Sequence, residues 1–287
     1  MKTVLLGAGG QIGREFQRQM DSGNLFAYDH AALDICDHPN VKSTLKDLKP
    51  DVVINAAAYT DVDACEHEVE RAFRVNAFAV HNLAKACSDV GCVLIHFSTD
   101  YVFGGEKRMP YREDDLPSPR NVYGASKLAG EHLLRSALSQ HILIRTSGLY
   151  GPPLRSGQNE NFVETMISLA QKKGRVQVVD DQILSPTYTR DVVRAAISML
   201  DMKAYGLFHI TNRGQSSWFA FARAIFEGTG LNPELERIPS SRLNREAARP
   251  PYSVLSNQKW NSLGGERLPP WEEALARYLD DRAQAMN

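Results

Sequence analysis

The 287-residue sequence contains no run of 18 or more apolar residues, the length at which a helix crosses a bilayer. An excess charge of either sign is also missing. Lys and Arg total 33 against 34 Asp and Glu, a formal charge of -1, whereas a dedicated nucleic-acid binder carries a basic surplus. Cysteine is sparse: Cys36, Cys65, Cys87 and Cys92 form no CxxC pair and no metal-ligand spacing. A disulfide framework and a zinc site are therefore not expected, and the four read as free thiols of a cytoplasmic protein. No internal repeat or low-complexity tract occurs. The start, MKTVLLGAGG, resembles a signal peptide for five residues and then meets a glycine cluster, as a buried first strand would.

What is present is ordinary for a soluble globular chain: 43% hydrophobic and 23% charged residues. The length allows a sizeable core. Short apolar runs alternate with helical patterns: KTVLLG (2–7), LFAYD (25–29), DVVINAAA (51–58), CVLIHFS (92–98) and HILIRTS (141–147). Near-continuous apolar runs suit strands buried on both faces. Their alternation with helices predicts an α/β fold, a doubly wound parallel sheet of the Rossmann type. After Tyr150 the rhythm changes. A Pro/Gly-rich loop (151–161) precedes expected helices over 162–173, 191–200, 216–227 and 271–281, with strands over 176–181 and 207–211. Residues 1–150, joined by about 182–215, are expected to form the dinucleotide-binding domain. Residues 151–181 and 216–287 would form a smaller, loop-rich α/β substrate lobe.

The first strand runs into Gly7-Ala8-Gly9-Gly10-Gln11-Ile12-Gly13. Read from Gly7, the pattern is GxxGxxG, not GxGxxG. Such glycines permit a tight turn and let backbone N–H groups approach a pyrophosphate at a helix N-terminus. Asp29 ends the second strand, where a carboxylate accepts hydrogen bonds from an adenosine ribose and repels a 2′-phosphate. That placement favours NADH, although a turn role for Asp29 fits equally well. Ala56, Ala57 and Ala58 after the third strand allow a flat cofactor to lie on the backbone, or tight strand–helix packing.

In NVYGASKLAGE (121–131), Tyr123 and Lys127 stand one helical turn apart with small residues between them. As a phenol ionises near pH 10, proton exchange near neutrality needs a fall of about 3 units, about 4 kcal/mol. One cation at about 4 Å supplies that much at an effective dielectric of about 20. The lysine is therefore expected to tune the phenol, with the small residues clearing space around the pair. Thr99, in FSTDYVF, would place a hydroxyl beside the same carbonyl.

GxxGxxG, NAAAYT, STDYVF and YGxSK in this order resemble the extended short-chain dehydrogenase/reductases. VDACE (62–66), STDYVFGG (98–105), LIRTS (143–147), DQILSPTY (181–188) and ARPPYSVL (248–255) narrow the resemblance to the dTDP-4-dehydrorhamnose reductase family. It implies NADPH or NADH as cofactor and a sugar nucleotide as substrate, with Thr99, Tyr123 and Lys127 as catalytic residues. It places the cofactor on Gly7, Gly10, Gln11, Ile12, Gly13, Asp29, Asp34, Ile35, Ala56, Ala57, Ala58, Tyr59, Asn76 and Phe97, and also on Tyr123 and Lys127. It places the substrate on Val62, Thr99, Asp100, Tyr101, Asn161, Phe162, Gln182 and Arg249, the arginine suiting a pyrophosphate. Related dehydratases carry Asp-Glu after the threonine; here Asp100 is followed by Tyr101, so elimination lacks a partner and plain reduction is expected.

Two departures accompany the resemblance. Gly148 stands where the family has a Trp against the sugar, and the 151–161 loop reads as longer than the family's. Some members hold Mg²⁺ at a dimer interface through glutamates. Glu15 matches one such position, but Arg190 replaces another carboxylate, so no obligatory metal is expected; a homodimer is compatible with the resemblance. The methionine adenosyltransferase regulatory beta subunit shares the fold and also lacks that Trp, which leaves a non-catalytic, cofactor-binding subunit as the alternative.

Overall fold

A computed structural model describes residues 1–151 and 161–286. Twelve strands and eleven α-helices occur among them. The strands are β1 (Thr3–Leu6), β2 (Leu25–Tyr28), β3 (Val52–Asn55), β4 (Val93–Thr99), β5 (His141–Thr146), β6 (Leu149–Tyr150), β7 (Arg175–Val179), β8 (Ile183–Leu184), β9 (Thr187–Tyr188), β10 (Gly206–His209), β11 (Ser216–Ser217) and β12 (Glu234–Ile238). The helices are α1 (Gln11–Gln19), α2 (His38–Leu48), α3 (Val62–His67), α4 (Val69–Phe73), α5 (Ala79–Val90), α6 (Val122–Ala137), α7 (Phe162–Lys172), α8 (Thr189–Asp201), α9 (Trp218–Thr229), α10 (Gln258–Ser262) and α11 (Trp271–Met286).

Six strands form one parallel sheet in the order β10-β5-β4-β3-β1-β2. Period-two alternation divides its side chains between two layers. Leu5, Ile54, Ile95 and Ile144 face Phe16 of α1 and Val192 and Val193 of α8. Val4, Leu6, Val53, Leu94 and Leu143 face Val41 and Leu45 of α2, Leu83 of α5 and Leu134 of α6. β1, β3 and β5 are buried throughout, but the edge strand β2 is only half-buried. The order reverses between β1 and β3, and such a switch point opens a crevice at the strands' carboxyl ends.

A separate core joins α7, β7, α9 and α11 around Tyr150, Tyr188, Phe221 and Tyr278. The expectation that everything after 216 belongs there needs correcting: Trp260 of α10 and Leu268 pack into the sheet's core. The helical segment between β3 and β4 is not continuous. It breaks at Glu68 (φ -105°, ψ 47°) and passes through a π-helical turn at Arg74–Phe78 before α5. The loop expected to be unusually long lies, over 152–160, outside the described residues.

Candidate active site

The glycine loop builds the first wall. Gly7 adopts φ +78°, and a methyl there would come within 2.5 Å of the Ala57 nitrogen. A methyl on Gly13 would overlap the Gly7 carbonyl oxygen. Glycine at both positions lets the β1–α1 loop, α1 and the β3 loop interpenetrate. Gly10 caps α1 without a side-chain hydrogen bond, which leaves first-turn N–H groups available to an anion. A crevice of about 880 Å³ follows, lined by Gly7, Gly10, Asp29, Asp34, Ile35, Ala56, Ala57, Ala58 and Tyr59. Asp29 Oδ1 accepts the Ala32 N–H at 2.9 Å, so the turn role and the crevice position coexist. His30, Arg71 and Arg74 also line it. They set basic groups beside Asp29, against the simple NADH preference expected from that carboxylate.

Gln11 and Tyr123 line the neighbouring cleft rather than this crevice, Lys127 lines neither, and four more expected cofactor residues are also set back from both. Ile12 packs in the sheet core, Gly13 serves loop packing, and Phe97 turns its ring to Phe16 with centroids 6.0 Å apart. Asn76, in the π turn, is saturated by protein: Oδ1 accepts the Tyr59 N–H at 2.9 Å, and Nδ2 donates to the Tyr59 carbonyl and the Ser126 hydroxyl, both at 3.0 Å. It ties the cofactor loop to α6. The sequence identified the neighbourhood but could not tell a lining residue from a strut.

Next to the crevice opens a cleft of about 400 Å³, lined by Gln11, Val62, Thr99, Asp100, Tyr101, Tyr123, Phe162 and Gln182, with Gly148, Leu184, Trp218 and Ser253. The two abut, since Gly10 and Tyr59 line one while Gln11 and Thr60 line the other. Asn121 positions α6 at this junction: its Oδ1 caps the Gly124 N–H at 2.7 Å and its Nδ2 donates to Ala248 O at 2.8 Å. The Gln11 Oε1 and Thr146 Oγ1 atoms are buried without a partner among the described residues, and both side chains line the cleft. Orphaned polar atoms facing a cleft mark places for ligand or water.

Thr99 Oγ1 accepts the Tyr101 N–H and donates to Asp100 Oδ1, both at 3.1 Å. Burial pushes the Tyr123 phenol up and the neighbouring Asp100 charge adds to that, outweighing the polar Thr99 hydroxyl beside it. Asp100 is itself raised to about 6 by burial, against hydrogen bonds from Ser253, Ser147 and Thr99. The serine hydroxyls donate to Asp100 Oδ2 at 2.5 Å (Ser253) and 2.8 Å (Ser147). Tyr101 lies edge-on to Tyr123, centroids 6.0 Å apart, and burial raises it to about 12.

The expected direct tuning of Tyr123 by Lys127 requires correction. Lys127 is 2% exposed, and its Nζ runs inward to donate to Phe97 O at 2.7 Å. Burial lowers it to about 8, opposed by the Glu131 charge, while burial is the largest influence on the tyrosine and pushes it up. The small residues also do not clear space. A methyl on Gly124 would overlap the Tyr101 carbonyl oxygen, and one on Gly130 the Asn76 carbonyl oxygen; they let α6 press onto backbone.

Two substrate expectations change as well. Arg249 is committed to Asp63, with Nη2–Oδ2 at 2.8 Å and a second contact from Nη1 to Oδ1, and this pairing holds the Asp63 carboxyl well below its usual range. Asn161 caps α7, accepting the Glu164 N–H at 3.1 Å and donating to Gly151 O at 2.8 Å; neither lines the cleft. Glu15 accepts from Gln19 at 2.7 Å and Arg190 pairs with Asp281 at 2.8 Å.

Sequence reasoning missed Ser147, Ser253, Trp218 and the pair Glu131–Arg145. Arg145 grips Glu131 through Nε (2.8 Å) and Nη2 (2.6 Å), and Ser98 adds a third bond at 2.5 Å. All but Trp218 lie inside the motif stretches that carried the resemblance, so position was available but not partnership.

A parallel sheet with a glycine-lined crevice at its switch point, next to a cleft lined by Thr99 and Tyr123 with Lys127 one turn along the same helix, defines a dinucleotide-binding oxidoreductase. The chain matches the RmlD substrate binding domain family over residues 1–284. It is 43% identical to a dTDP-4-dehydrorhamnose reductase of Mycolicibacterium smegmatis, over 96% of this chain and 84% of that one. It is 39% identical to the spore coat polysaccharide biosynthesis protein SpsK of Bacillus subtilis, over 99% of each. Among solved structures, a dTDP-4-dehydrorhamnose reductase of Bacillus anthracis in complex with NADP superposes with a TM-score of 0.94 at 35% identity, covering 98% of this chain and 100% of that one. The chain belongs to the dTDP-4-dehydrorhamnose reductase family and is an NAD(P)H-dependent oxidoreductase.

Proposed function

We propose that the protein reduces the C4 carbonyl of a nucleotide-linked 4-keto-6-deoxy sugar, dTDP-4-dehydrorhamnose being the substrate its family names. The observation that carries this reading is that Thr99 and Tyr123 line one cleft abutting the glycine crevice.

The cofactor fits what is present. The crevice at Gly7 has no room for a side chain, the first turn of α1 is uncapped by any side chain, and Gln11 Oε1 is unpartnered. Gly7, Gly10, Gln11 and Ala56–Ala58 would hold NAD(P)H, and Asp29 and Arg74 would flank its adenosine end. When bound, it supplies the hydride. Thr99 orients the carbonyl by hydrogen bonding, and Tyr123 donates its proton to the developing alkoxide. A phenol kept protonated by burial suits that donor role. Lys127 anchors the cofactor side of the site. Ser147 and Ser253 fix the Asp100 carboxyl so that its other oxygen meets Thr99.

The aromatic plate that Gly148 does not supply has a counterpart elsewhere in the cleft lining. Trp218 and Phe162, centroids 4.5 Å apart, both line the cleft and would offer an apolar face to the sugar. The test is a panel of nucleotide 4-keto-6-deoxy sugars with NADH and NADPH. Turnover is expected with a dTDP-linked member. Firm NADPH binding without turnover of any member would contradict the proposal and favour the binding-subunit reading.

A further inference from the structure

His96, on β4 just before Phe97, is 0% exposed and has no part in the chemistry above. Its surroundings fix where its proton sits. Asn55 Oδ1 accepts the Ala57 N–H at 3.1 Å, which orients the amide. Asn55 Nδ2 is therefore the end facing His96 Nδ1, at 3.1 Å. A ring nitrogen that meets an N–H donor must present its lone pair, so the neutral imidazole carries its one proton on Nε2. Burial and the Lys127 charge oppose a second proton and outweigh the Asn55 backbone carbonyl, which favours one. Nε2 in turn lies 3.4 Å from Lys127 Nζ.

An N–H aimed at Nζ matches an amine, which has a lone pair to accept it. It does not match an ammonium, which has only donors. The geometry points to His96 as a positioning residue for Lys127: locked by Asn55 into the Nε2–H form, it favours the lysine as an exchangeable amine over a permanent cation. This rests on the proposed reductase only in assigning Lys127 to the active site. The chain of contacts runs from Ala57 in the cofactor crevice through Asn55 and His96 to Lys127, so the crevice loop and the lysine share one hydrogen-bonded support.

The other groups around this pair are accounted for. Glu131, one turn along α6, favours the charged lysine but is itself gripped by Arg145 and Ser98. Tyr123 shares the helix. Asp100 follows β4, and Cys65 of α3 faces Tyr123. His141 of β5 faces His96 and opposes its protonation.

Two measurements on the full-length protein test the inference without substrate or cofactor, so their failure is separable from failure of the reductase reading. Nitrogen-15 NMR of labelled histidine in the unaltered protein should show His96 neutral, with its proton on Nε2; a proton on Nδ1 overturns the inference. Carbon-13 NMR of labelled lysine follows the Lys127 titration, with its resonance assigned through Lys127→Met. His96→Met removes the N–H at similar volume, and the Lys127 midpoint should rise by about one pH unit. An unchanged or lower midpoint in that variant contradicts the role.

Discussion

The Lys127 amine ends 2.7 Å from the Phe97 carbonyl, so the lysine is held by strand β4 while Tyr123, four residues earlier on α6, lines the cleft with Thr99. One helical turn separates the two residues, yet their side chains face different surroundings. A pocket this closed accepts one compact amino group and not a planar guanidinium. Lys127→Arg should therefore lose as much turnover as Lys127→Met, about a hundredfold or more. Steady-state kinetics of both variants check this; near-parent rates for the arginine variant would contradict it.

Gly124 meets the Tyr101 carbonyl with no room for a methyl. Gly124→Ala should push α6 off the Thr99–Tyr101 turn, costing about 1–3 kcal/mol of stability. It should reduce kcat while NADPH affinity stays within a few-fold, because the glycine crevice is untouched. Urea unfolding and a fluorescence titration of NADPH read the two effects separately.

Asp100 gives a pH signature. Its folded carboxyl titrates near 6, against 3.8 for the free group. Between those values the folded chain holds the extra proton, so this site's contribution to stability falls as pH rises from about 4 to 6 and is fully lost above. A shift of about 2 units corresponds to about 3 kcal/mol. Asp100→Asn should remove that slope, gaining stability on the parent between pH 4 and pH 7 when both are unfolded in urea. A difference independent of pH would refute the assignment.

Glu131 and Arg145 are 1% and 2% exposed. Glu131→Ala leaves a buried guanidinium without its carboxylate, which should cost about 3–5 kcal/mol. The loss should appear as a lower urea midpoint.

Trp218 tests the displaced aromatic wall. Trp218→Ala should raise KM for the sugar nucleotide by about fivefold with a smaller change in kcat, as expected for losing about 1 kcal/mol of contact to bound sugar. An unchanged KM would remove Trp218 from the sugar site.

Much of this architecture was legible in the sequence. Continuous apolar runs such as VVIN and HILIRT announced buried parallel strands, and GxxGxxG placed the crevice, because strand burial and positive φ leave direct marks on residue choice. What stayed hidden depends on partners distant along the chain. Nothing local says that Arg249 is held by Asp63, that Asn76 spans from Tyr59 to Ser126, or that Lys127 turns inward to Phe97. Trp260 looked like part of the second lobe because its neighbours in sequence belong there. Its ring packs instead against Phe208 of β10, centroids 6.5 Å apart.

The central claim is that Tyr123 passes its proton to the substrate oxygen beside bound NAD(P)H. Tyr123→Phe keeps the ring and removes only the hydroxyl. Single-turnover NADPH oxidation with dTDP-4-dehydrorhamnose should slow by about 10²–10⁴-fold, with NADPH affinity within twofold of the parent. Oxidation at the parent rate in that variant would contradict the account.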